Sequence, residues 1–149
     1  MFDTLNTIKA LADENRLRIL MALKGKELCV CTLSELLNLA ASTTSKHLSI
    51  LKQARLIESV KDGKFVYYRR VSPETRGPLQ ADPLLAWVTG SLADSPQIKT
   101  DADSLREIIA KGEQTAPDFQ IASAEHRLYR HVPGIHAIGN FGRNPHGSR

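Results

Sequence analysis

A chain of 149 residues, 42% of them apolar, is long enough to bury one compact core with an appendage, which excludes fibrous and wholly disordered readings. The start, Met1-Phe2-Asp3-Thr4, has no basic stretch followed by an apolar run, and no later stretch is apolar for long enough to span a bilayer, so a cytoplasmic protein without a membrane partner is expected. The net charge of +4 is concentrated: between residues 41 and 72, Lys46, Lys52, Arg55, Lys61, Lys64, Arg69 and Arg70 face only Glu58 and Asp62, a distribution that suits a phosphate backbone.

Phe2, Leu5, Ile8 and Leu11 recur at helical spacing, and Asp13 then caps a second helix over residues 14–24. That helix carries Leu17, Leu20, Met21 and the stem of Lys24 on one stripe and stops at Gly25, where a left-handed residue is wanted. Cys29-Val30-Cys31 follows and holds the two cysteines of the chain. A single intervening residue is a poor spacing for a structural disulfide and a good one for sharing a soft, thiophilic ion; buried small hydrophobes are the competing reading. If the segment is extended, both side chains point the same way with Cα atoms about 6.6 Å apart, at roughly 3.3 Å per residue.

Thr32-Leu33-Ser34-Glu35 has the pattern of a capping box, which starts a short third helix at Thr32 with Leu33, Leu36 and Leu37 inward. After a turn near Asn38-Leu39, a fourth helix spans residues 41–54 with Leu48 and Leu51 inward and Ser42, Thr43, Thr44, Ser45, Lys46, Ser49 and Lys52 outward. Two short helices joined by a tight turn, the second polar and basic outside, form a helix-turn-helix. Ser42, Thr43 and Thr44 suit base edges, Lys46, His47 and Lys52 suit phosphates, and Ser45 belongs to the same DNA-binding face. Residues 56–61 and 64–71 are rich in Val, Ile and Tyr, and Asp62-Gly63 between them is a two-residue hairpin signal, giving a β-wing with Lys64 at its tip. DNA is the expected partner of a recognition helix followed directly by such a wing.

Asp82-Pro83 reads as an N-cap and first helical position, and Leu84, Leu85, Val88 and Leu92 make one apolar face of a fifth helix. With Phe2, Leu5 and Ile8, the residues Leu84, Leu85 and Val88 form the expected seam of a homodimer. Asp101 is placed as the cap of a short helix carrying Leu105, Ile108 and Ile109 and ended by Gly112. The remainder, with Pro117, Pro133, Gly134, Gly139, Gly142, Pro145 and Gly147, is expected to be loosely ordered. The fold class is therefore mainly α with a β-hairpin wing, a dimeric winged helix-turn-helix in residues 1–94, and residues 95–149 are a C-terminal extension. A truncation after Asp94 is expected to dimerise and bind operator. His126, His131, His136 and His146 are irregularly spaced and read as solvated bystanders.

Ala10-Leu11-Ala12-Asp13-Glu14-Asn15-Arg16-Leu17-Arg18-Ile19-Leu20, Glu27-Leu28-Cys29-Val30-Cys31 and Ser45-Lys46-His47-Leu48 together resemble the arsenic-responsive repressors of the ArsR/SmtB family. The resemblance runs from about Phe2 to the end of the wing, with weaker support to about Leu92. It implies a homodimeric winged-helix repressor of double-stranded operator DNA, with Cys29 and Cys31 as ligands of As(III) or Sb(III), the inducer. It also puts His47 on the DNA face. Related cadmium and lead sensors add cysteines near the N-terminus, which this chain lacks, and the zinc-sensing branch uses histidines on the fifth helix, whereas none lies between Pro73 and Asp94. Two departures stand out. Ser34 occupies a position where many arsenic sensors have a third cysteine, and Ala40-Ala41 occupy positions that are often polar.

Sharing one ion should draw the sulfurs together, disturb the cap at Thr32 and so misplace the recognition helices. The same fold sensing cadmium, lead or thiol oxidation remains an alternative, as does a thiol-based metalloid carrier that never touches DNA. An enzyme is not expected: the dithiol lacks the two-residue spacer of an oxidoreductase, and neither an activated nucleophile nor a glycine-rich phosphate loop is present.

Overall fold

The structure, a computed structural model, describes residues 2–71 and 81–115. The four tail histidines and the expected loosely ordered end lie outside the described residues. The order is α1 (Phe2–Leu11), α2 (Glu14–Ala22), β1 (Leu28–Cys29), α3 (Val30–Leu37), α4 (Ala41–Gln53), β2 (Ile57–Asp62), β3 (Phe65–Arg70), α5 (Ala81–Leu92) and α6 (Pro96–Thr115). The mainly helical, winged architecture matches the expected fold class.

Asp13 caps α2 as its position requires, its Oδ1 accepting from the Arg16 N–H at 3.0 Å. The helix ends two residues earlier than its spacing predicts, with Leu23 at the C-cap and Gly25 left-handed at φ +66°. The buried stripe is also rotated: Ile19, Leu20 and Leu23 enter the core, whereas Leu17 and Met21 are half-buried and Lys24 is exposed. Both sets have helical spacing and share Leu20; α2 touches α3, α4 and α6, and this turns the wider Ile19–Leu23 side inward.

α3 begins at Val30, not Thr32, and Cys29 rather than Thr32 is its N-cap. At the other end Asn38, left-handed at φ 53°, closes the helix, and the N–H groups of Asn38 and Leu39 donate to Glu35 O and Ser34 O. Leu33, Leu36 and Leu37 of α3 meet Leu48 and Leu51 of α4 in one core with Ile19, Leu20, Leu56 and Ile57.

The sheet has the order β1-β3-β2, both pairs antiparallel. β1 was not foreseen; it pairs Leu28 with Tyr68 and Cys29 with Tyr67. In the hairpin Asp62 pairs with Phe65, so the turn residues are Gly63 and Lys64, one position later than expected. Gly63 at φ +59° supplies the left-handed first position of a two-residue turn, leaving Lys64 at the tip without that demand.

α5 starts at Ala81, which puts Pro83 within its first turn and removes Asp82 from the N-cap position. α6 is the larger correction: it has twenty residues, begins with Pro96 in the first position, and contains Asp101 in its interior rather than at its cap. Asp101 and Leu105 are both buried, Leu105 in the same core as α2 and α3. Asp101 receives a two-pronged contact from Arg18 of α2, Nε to Oδ2 at 2.7 Å and Nη2 to Oδ1 at 2.8 Å. The start of the extension is thereby packed onto the helix-turn-helix.

Candidate nucleic-acid interface and thiol site

α4 presents Ser42, Thr43, Ser45 and Lys46 to solvent. Ala40 caps the helix without a side-chain hydrogen bond, so this end offers bare backbone N–H groups beside short polar side chains. Thr44, expected outside with its neighbours, is fully buried at 0% exposure. It lies four and seven residues before Leu48 and Leu51 and so shares their inward stripe. Its hydroxyl accepts from Ser34 Oγ of α3 at 3.0 Å and donates to Ala40 O at 3.2 Å. Thr44 therefore joins the two helices and is no candidate for a base contact.

His47 is likewise turned inward, with its side chain 15% exposed and its Nδ1 3.7 Å from Asp13 Oδ1. That nitrogen is buried without a hydrogen-bond partner among the described residues. Lys52 reaches the wing, donating to Ser59 Oγ at 2.7 Å, and Arg69 is held by Glu58 at 2.7 Å and Glu27 at 3.1 Å. Part of the concentrated basic charge thus braces the wing against α4 and β1. At the tip, residues 61–66 are all exposed, Lys61 and Lys64 among them, together with Phe65 and Val66, which the hairpin signal did not single out.

The thiol site lies where β1 passes into α3. Cys29 is buried, Cys31 is exposed in the first helical turn, and the two are joined in a disulfide with Cα atoms 5.4 Å apart. The segment is not extended as expected: the helix starts between the two residues and brings the Cα atoms from the outer limit of the disulfide range to 5.4 Å, near its centre, which corrects the view that the spacing disfavours one. Cys29 Sγ accepts from the Thr32 N–H at 3.4 Å and lies 3.3 Å from Thr32 Oγ1, so the Thr32 donor is already committed and the Thr32/Glu35 capping box is replaced by a sulfur cap. Glu35 is exposed.

Only after reduction would the pair offer two sulfur donors, and an ion preferring three ligands would have to find its last one outside them. Among the described residues no group of three or more His, Cys, Asp or Glu side chains could hold a metal. Ser34, one turn beyond Cys31, has its hydroxyl on Thr44.

Of the expected dimer seam, Leu5 and Ile8 are 48% and 49% exposed on α1. On α5, Leu84 and Val88 are half-buried and Trp87 is 69% exposed, whereas Leu85 is buried within its own chain and is not available to a partner. The Phe2 side chain lies outside the described residues. No helix among the described residues is long and apolar enough to cross a membrane.

A family model described as bacterial regulatory protein, arsR family, matches residues 13–59. The arsenic resistance transcriptional regulator ArsR1 of Pseudomonas putida is 38% identical over 100 residues, covering 66% of this chain and 72% of that protein. The cadmium resistance transcriptional regulatory protein CadC of Listeria innocua is 49% identical over 61 residues, 40% of this chain and 51% of that one. The chain thus spans about half the length of such cadmium regulators. Among solved structures, HlyU from Vibrio cholerae aligns with a TM-score of 0.52 at 29% identity, over 62% of this chain and 94% of that one. The homodimeric winged helix-turn-helix DNA-binding domain Mb0332 from Mycobacterium bovis gives 0.52 at 26%, over 63% and 82%. Given the fold, the motif order and a relative matched across most of its length, this chain belongs to the arsR family of bacterial regulatory proteins.

Proposed function

We propose that the chain is a thiol-gated transcriptional repressor that binds double-stranded operator DNA as a homodimer and lets go when As(III) or Sb(III) binds Cys29 and Cys31. One observation carries the reading: the two sulfurs meet at the first turn of α3, and α3 is bonded through Ser34 to Thr44 of α4. A change at the sulfurs therefore acts on the helix that seats the DNA-reading helix. Ser42, Thr43, Ser45 and Lys46 face the major groove, Lys64 reaches a flanking phosphate, and His47 and Thr44 hold α4 in place from behind. Leu5, Ile8, Leu84 and Val88, with Phe2 and Trp87, supply the seam.

In the binding step, which takes the reduced dithiol after a cellular thiol has opened the disulfide, arsenous acid exchanges two hydroxyls for the two cysteine sulfurs, the thiol protons leaving in two waters, and keeps its third oxygen ligand. Closing both sulfurs onto one arsenic moves the Cys29 sulfur that caps α3 relative to the Thr32 N–H, weakening a contact worth less than the roughly 1 kcal/mol of an oxygen cap. A few such contacts separate bound from released repressor. The arsenic-resistance relative supports this choice of inducer.

A second reading is favoured by the disulfide itself: an oxidant such as a peroxide takes two electrons and two protons from the thiols, and S–S bond formation moves the same turn. The two readings part in one assay. Operator release from the reduced protein, measured on DNA from upstream of its own gene, is expected with arsenite and antimonite and not with zinc. Cys29→Ser should bind operator as tightly and ignore arsenite. Release of that variant at the normal arsenite concentration would sink the metalloid reading; release by peroxide alone, reversed by a dithiol, would install the oxidative one. A carrier without DNA binding predicts no retarded complex at any salt concentration.

A further inference from the structure

We infer that Arg18 and Asp101 are positioning residues for the response to the inducer: they pin the C-terminal end of α3, so that a change at its sulfur-bearing end swings the helix instead of sliding it. This rests on the thiol-gated reading above.

α3 has eight residues and, beyond the apolar packing of Leu33, Leu36 and Leu37, is fixed by directional contacts at three levels. Its first turn holds the sulfur pair, its middle holds Ser34 on Thr44, and its last turn is gripped by Arg18, whose Nη2 donates to Leu36 O at 3.3 Å. Ser34 O and Glu35 O are already satisfied by Leu39 and Asn38, so Arg18 meets one of the carbonyls that a helix end leaves over. The same guanidinium is held in plane by both oxygens of Asp101, and Gln97 Nε2 donates to Asp101 Oδ1 at 2.9 Å. Hydrogen bonding to Asp101 raises the Arg18 pKa further above its ordinary value, so the cation is permanent at any physiological pH.

A planar two-pronged contact fixes direction as well as distance. A short rod fixed at one end and displaced at the other rotates about the fixed end, and its middle, where Ser34 meets Thr44, is carried sideways against α4. Without the pin, the same displacement is absorbed by a shift of the whole helix. Buried ion pairs are poor sources of net stability compared with apolar substitutes of similar volume. Positioning accounts for this one better.

The test compares operator affinity with and without arsenite for the full reduced chain, its Asp101→Asn variant, and the double variant Arg18→Met with Asp101→Leu, in which apolar packing replaces the pair. Lys99→Ala, which breaks the exposed pair between Lys99 of α6 and Asp94 in the turn before it, is the control. Wild type and control are expected to lose affinity in arsenite by a factor of about 5 to 150, the usual span of such couplings. In the double variant the arsenite-free affinity and the melting temperature should stay near wild type while the loss in arsenite falls to less than about threefold; Asp101→Asn should lie between. Full arsenite release in the well-folded double variant overturns the inference and leaves the thiol reading intact. A wild type that holds its operator in arsenite overturns both.

Discussion

Ser34 and Thr44 join the two helices of the reading unit by a hydroxyl pair at 3.0 Å, beside the leucine packing between them. Ser34→Ala should cost about 1 kcal/mol, seen as a lower denaturant midpoint, because Thr44 keeps its bond to Ala40 O and is not orphaned. Lys64→Ala should weaken operator binding evenly across sequences and reduce the salt slope by about 1, whereas Thr43→Ala should alter sequence preference at an unchanged slope. The spacing of Thr44 to Leu48 and Leu51 is already a core spacing in the sequence, but its hydroxyl chemistry, beside Ser42, Thr43 and Ser45, suggested a groove contact instead. The cysteine pair was legible from chemistry alone. Its role as a cap was not, because sulfur is a weak acceptor and seldom starts a helix.

At the scale of elements, the helix-turn-helix and wing could be read from apolar spacing and the Asp-Gly signal. Their edges could not. β1 is two residues long and exists only because β3 lies beside it, so nothing local announces it. The turn slipped by one residue because Asp62 closes the ladder with Phe65 and leaves Gly63 to take the left-handed position. The exposed apolar positions of α1 and α5 make the dimer testable: Leu5→Asp and Trp87→Asp should each shift the protein toward monomer in analytical ultracentrifugation and weaken operator binding with it. Leu85→Asp should instead unfold the chain, since its side chain is internal.

For the whole molecule, α6 changes what counts as the domain. Composition around Pro96 and Gly112 concealed its length, and Asp101 looked like a cap because its partner, Arg18, is 83 positions away in the chain. Truncation after Asp94 should therefore not be neutral. It strips Arg18 of its carboxylate and uncovers the site of Leu105, and loss of one partner of a buried pair alone costs about 3–5 kcal/mol. A truncation after Thr115 retains every described element, the Arg18–Asp101 pair among them. Arg18 also fixes the pH behaviour of this link: because its pKa is raised on folding, its contribution is complete below arginine's ordinary titration range and lost only above it. Stability lost through this cation between pH 6 and 9 would contradict that.

The junction at Cys29 has a bearing on how such a chain can tolerate change in length. The residue ends a strand that is hemmed to Tyr67 and at once opens the helix behind the recognition helix. An extra amino acid inserted after Val30 would throw both DNA-facing arms out of alignment together, whereas one inserted at exposed Gly25 would be taken up by the turn, a contrast that insertion scanning would expose as one intolerant step beside a permissive one.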